Sequence, residues 1–211
     1  MVRTECLQRL ESDIVKETSQ ALDYTARALD ISPSNAFSLT IEGFAQNNLL
    51  RRLDIADQRY TAALQANPNS ALSWLLKGVL HAFRDEGAPA VDATIRACKL
   101  SPLDPFGYFY DSLNATAYLA QGNYERSLEL ANRSLAANDR HLSTLRTKIV
   151  ALHNLGRREE AIQVGQELLR RQPTFTVADY RRSHPAADYF FGKNAAAALT
   201  AARIRVAELA R

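Results

Sequence analysis

A phrase of six residues returns along this chain. Ala28-Leu29-Asp30-Ile31-Ser32-Pro33, Ala63-Leu64-Gln65-Ala66-Asn67-Pro68, Ala97-Cys98-Lys99-Leu100-Ser101-Pro102 and Leu168-Leu169-Arg170-Arg171-Gln172-Pro173 share it, and Ser134-Leu135-Ala136-Ala137-Asn138-Asp139 carries Asp in place of Pro. The last residues of successive phrases lie 35, 34, 37 and 34 positions apart. A fixed period of this length makes each segment one supersecondary unit, which buries its apolar face only by stacking on its neighbours. Pro cannot continue a helix, so it marks the turn that closes each unit. Val and Ile never alternate with polar residues over a strand-length run, which leaves helices throughout.

Small residues recur where two helices must approach. Gly43 and Gly78 stand in the first helix of their units, and Ala21, Ala56, Ala90 and Ala161 early in the second, with Ala28, Ala63 and Ala97 seven residues later on the same face. Gly122 and Gly156 precede Tyr124 and Arg158 in the turn within a pair, where glycine can take positive φ after a helix end. These features, best developed in Ala71-Leu72-Ser73-Trp74-Leu75-Leu76-Lys77-Gly78 and Gly122-Asn123-Tyr124-Glu125-Arg126-Ser127-Leu128, resemble the tetratricopeptide repeat (TPR) over residues 2–173. The resemblance implies an all-α fold, a right-handed α-solenoid of about five helix pairs. The units fall near residues 2–35, 36–70, 71–107, 108–141 and 142–173, with residues 174–211 as a C-terminal capping segment.

Three places depart from the pattern. Asp85-Glu86-Gly87-Ala88-Pro89 replaces the Gly-x-aromatic turn, Leu103-Asp104-Pro105-Phe106-Gly107 inserts an elbow, and Arg9 sits where a small residue is expected, so the first helix is short or displaced. A narrower resemblance rests on Leu100-Ser101-Pro102-Leu103-Asp104-Pro105, Pro173-Thr174-Phe175-Thr176-Val177 and residues 181–185. These resemble the repeat regions at the C-terminal end of bacterial class III adenylate cyclases and related winged-helix regulators. That resemblance implies an accessory or regulatory region of a bacterial signalling protein, or the C-terminal part of a cyclase whose catalytic domain is absent from this chain.

No catalytic constellation is legible, so the chain is expected not to be an enzyme and to need no cofactor or metal. The histidines, His81, His141, His153 and His184, have no Cys or His partner at ligand spacing, and Cys6 and Cys98 form no redox motif. No phosphate-cradling loop or nucleophile elbow occurs. The 211 residues carry a net charge of only +3, which does not call for nucleic acid; the pairs Arg51-Arg52, Arg157-Arg158, Arg170-Arg171 and Arg181-Arg182 read as solvated helix ends. No apolar run reaches the roughly 20 residues that span a bilayer, so membrane insertion is not expected and a cytoplasmic location is the default.

The expected activity is therefore binding of a protein or peptide. In the tetratricopeptide family the first helix of each pair lines the concave surface. Carried over by repeat position, the groove comprises Phe37, Thr40, Phe44, Asn47, Leu72, Leu75, Val79, Phe83, Phe109, Ser112, Thr116, Arg146 and His153. For Leu75 and Val79 a place in the inter-repeat core is an equal alternative. The apolar character of these positions argues against a clamp for a C-terminal carboxylate and for an amphipathic helix as ligand. Ala195, Leu199, Ala202, Val206 and Leu209 form an apolar stripe, which implies a final helix that caps the last unit, mediates a homodimer or folds into the groove.

Overall fold

The computed structural model describes residues 19–207, and all regular structure among them is helical. Arg9, Cys6 and Leu209 lie outside the described residues. The chain divides into two compact units, split after Ser70.

The first unit holds α1 (residues 19–31), α2 (Ala36–Asn48) and α3 (Leu53–Ala66). Asn35 starts α2 by accepting from the Ser38 N–H at 2.9 Å, which satisfies one of the orphan donors at a helix start. The pair α2–α3 closes tightly because Gly43 faces the Tyr60 ring: a Cβ there would stand 2.7 Å from Tyr60 Cε1.

The second unit holds three helix pairs, α4 (Ala71–Phe83) with α5 (Gly87–Leu100), α6 (Gly107–Gln121) with α7 (Tyr124–Ala137), and α8 (Leu142–Asn154) with α9 (Arg158–Arg171). Gly78 lies against Ala90 and Thr94 of its own partner helix, as the repeat register requires. Two short helices follow, α10 (Val177–Ser183) and α11 (Phe190–Ala201). The first helices also pack on one another, α4 on α6 and α6 on α8. Part of that contact is polar: Thr144 donates to Ser112 Oγ at 2.8 Å, and the Thr116 and Thr147 hydroxyls meet at 3.5 Å.

Each turn inside a pair contains one left-handed residue. Gly122 and Gly156 take this position at φ 82° and 73°; Arg51 and Asp85 take the equivalent positions at φ 54° and 64°. Arg51 and Asp85 thus stand where the repeat favours glycine. The insertion before α6 is an Asx turn in which Asp104 accepts from Ser101 Oγ and from the Phe106 N–H, both at 2.9 Å, leaving Leu103 and Phe106 exposed.

The arginine pairs do not all complement a helix C-terminus. Arg170-Arg171 and Arg181-Arg182 lie in last turns, but Arg158 opens α9 and Arg52 precedes α3. Arg157 instead reaches Glu160 at 2.7 Å, a surface pair within one helix turn.

Candidate functional site: the inner helix face and the C-terminal arm

The residues expected in a groove separate by burial. On α2, Phe37 and Phe44 project to solvent, Phe37 at 65% exposure, whereas Thr40 and Asn47 are buried; the Thr40 hydroxyl donates to the Ala36 carbonyl at 2.6 Å. In the second unit Leu75, Val79, Phe83, Ser112 and Thr116 are buried and packed within the chain. Leu72, Phe109, Arg146 and His153 are half-buried. Leu75 joins Ala97 and Tyr110 in a core cluster, and Ser112 and Thr116 are held by the hydroxyl contacts to α8.

Phe83 is covered by the chain's own C-terminal arm. The His184 ring meets it edge-on at 4.8 Å between centroids, and the Phe191 ring lies 5.7 Å away. Tyr180 completes the cluster at 4.6 Å from His184. The Ala186 N–H donates to His184 Nδ1 at 3.1 Å, so the proton of the neutral ring sits on Nε2. Burial, with the nearby charge of Arg146, holds the His184 pKa down at about 3.

The start of α11 is capped from a distance. Its own N-cap, Tyr189, supplies no side-chain acceptor. Asp85 does so instead, accepting from Phe190 N–H at 2.9 Å and from Phe191 N–H at 2.7 Å. The carboxylate therefore meets the positive end of the α11 dipole. An open pocket remains beside this junction, lined by Asp85, Leu119, Tyr124, Val150, Phe190 and Asn194 among others.

The expected final helix is shorter than its apolar stripe. Ala195, Leu199 and Ala202 are buried against the α8–α9 core, but α11 ends at Ala201, Arg203 turns left-handed at φ 64°, and Val206 is exposed. Tertiary contacts stop the helix. Ile204 is buried, and the Arg205 and Val206 carbonyls each accept at 2.8 Å, from the Val177 and Ala178 N–H groups at the start of α10. The arm thus packs on the last pair and also reaches α4.

Among the described residues no three His, Cys, Asp or Glu side chains gather where a metal could be held. Cys98 is half-buried, and burial raises its pKa, the reverse of an activated thiol. No helix among the described residues is long and apolar enough to cross a membrane.

The sequence matches no protein-family model and no curated protein. Solved structures define the fold class. The chain is similar to PilW, a widely conserved type IV pilus biogenesis factor, with a TM-score of 0.67 at 19% identity over 91% of this chain and 87% of that one. It is similar to a tetratricopeptide repeat protein from Parabacteroides merdae, with a TM-score of 0.60 at 16% identity over 94% and 75% of the two chains. YrrB, a TPR protein with an unusual peptide-binding site, gives a TM-score of 0.54 at 15% identity over 86% and 92%. The fold is accordingly the helix-pair α-solenoid fold of TPR proteins.

Proposed function

We propose that this chain is a protein–protein interaction module that holds an amphipathic helical segment of a partner on its first-helix faces. One observation carries the reading: the α8 face already holds a helix, α11, whose aromatic tip packs on Phe83 of α4. A face that takes an apolar helix from its own chain has the shape and chemistry to take one from another. Taken by itself, the first unit offers a separate apolar surface in the exposed Phe37 and Phe44, seven residues apart on α2, and the peptide-binding site named for YrrB supports a peptide partner.

The test is binding by Phe37→Asp and Phe44→Asp variants of any partner captured from a lysate. Both should bind more weakly with helix content and melting temperature unchanged, because both side chains are exposed. Wild-type binding by both would remove α2 from the interface. A place in a bacterial signalling protein in the cytoplasm, or at the C-terminal end of a nucleotide cyclase, rests on the phrases at residues 100–105, 173–177 and 181–185. The codons upstream of Met1 test it: an open frame encoding a cyclase or winged-helix domain supports this placement, and a stop codon overturns it.

A further inference from the structure

Arg146 projects from α8 with its guanidinium 5.6 Å from the centroid of the Phe175 ring. It is half-buried, and its environment differs from that of Arg59 and Arg126, which lie on the second helices of their pairs. Arg59 pairs with Glu42 at 3.0 Å and Arg126 with Glu129 at 2.5 Å. Among the described residues, no carboxylate lies within ion-pair reach of Arg146 and no hydrogen bond engages its guanidinium.

The ionisable groups that feel its charge are His141, Tyr180 and His184. None of them supplies a negative charge: burial holds both imidazoles below their ordinary range and pushes the Tyr180 phenol above its own. Burial likewise lowers the pKa of Arg146 itself. A positive charge partly withdrawn from water, with no carboxylate beside it among the described residues, is less well stabilised than a paired one, and such departures from local consistency collect at functional sites. The walls around it are aromatic, and Phe109 of α6, half-buried, lies 5.9 Å from the His141 ring at the same end of α8.

We propose that Arg146 is the receptor for a carboxylate on the partner's segment, so that this face selects a helix carrying an acidic residue beside apolar ones. The proposal rests on the partner-binding reading above and deepens it. A planar guanidinium suits this role because it can give a carboxylate two parallel hydrogen bonds. The opposing account makes Arg146 a packing residue whose task is to cover Phe175.

The experiment selects a phage-displayed library of helical peptides on the full chain and on its Arg146→Met variant, which keeps the aliphatic stem. Peptides enriched on the wild type should share an Asp or Glu at a fixed position. They should bind Arg146→Met roughly ten- to hundredfold more weakly, the range of a charge-assisted hydrogen bond. Changing that acid to its amide should cost the same factor on the wild type and nothing on the variant. The variant should melt at or above the wild-type temperature, since an unpaired charge is removed; a clear fall would mark a packing residue and overturn the proposal. Enriched peptides without a fixed acid, or with equal affinity for both proteins, would overturn it while leaving partner binding intact. No enrichment on either protein would overturn both readings.

Discussion

Asp85 adopts a left-handed conformation in the turn between α4 and α5, and its carboxylate holds two amides of α11. The two roles separate by mutation. Asp85→Gly relaxes the turn and removes the cap; Asp85→Ala removes the cap and keeps a side chain in the left-handed region. Loss of a cap costs about 1 kcal/mol, and a Cβ at left-handed φ about 1–2 kcal/mol more than glycine. Both variants should therefore lose hydrogen-exchange protection at Phe190 and Phe191, and only Asp85→Ala should also melt clearly lower. Unchanged protection in both would show that the α11 tip is held by its rings alone. At pH values between about 3 and 6.5 His184 is neutral in the folded chain and takes up a proton on unfolding. Stability consequently rises with pH across that window and is lost as pH falls through it. His141 adds a change of the same sign. Unfolding free energy measured between pH 6.5 and 5 should fall more steeply for the wild type than for His184→Asn, and equal slopes would refute the buried neutral ring. The glycines at 122 and 156 were legible as left-handed positions from their place in the repeat. Asp85 was legible only as a departure, because the amides that explain it lie 105 and 106 residues further on. The surroundings of Arg146 were hidden for the same reason: sequence spacing cannot show that no acid among the described residues approaches it from another element.

The helix pairs follow from local chemistry, and so does their register. A Cβ on Gly78 would stand 2.6 Å from Thr94 Cγ2 and 2.9 Å from the Ala90 carbonyl, so Gly78→Leu should cost about 1–3 kcal/mol or more. A thermal melt identical to wild type would mean that α4 and α5 can part without penalty. The C-terminal arm was less legible. Helix propensity and the apolar stripe both favoured continuing past residue 201, but the buried Ile204 and the bonds to α10 turn the chain back. Gly165 of α9 permits this return, since a Cβ there would meet the Ala202 carbonyl at 2.5 Å. Removing residues 188–211 strips α11 from Ile149, Val150 and Leu168 in the same core. The truncated chain should melt well below the full one and aggregate, as a solenoid does with its last apolar face in water. A truncated chain that stays monomeric and melts unchanged would show that the last pair is complete without its cap.

Repeat arrays are energetically close to one-dimensional, each element answering only to its neighbours. Within the second unit the contact of α11 with Asp85 and Phe83 breaks that rule by joining the α4–α5 pair to α11, two pairs further along. Amides of α4 and of α8–α9 should then share one opening free energy in native-state exchange, and the two sets should diverge in Asp85→Gly. Divergence already present in the wild type would leave the pairs independent. The same contact also has a consequence in time. Phe83 and Asp85 leave the ribosome more than 100 residues before the segment that covers them. At a synthesis rate of about 5–20 residues per second, that interval is on the order of 5–20 s. For those seconds the nascent α4–α5 pair presents an aromatic ring with no cover and an acid with no helix to cap, a state that the finished chain conceals and that a chaperone or a co-translational partner has time to meet.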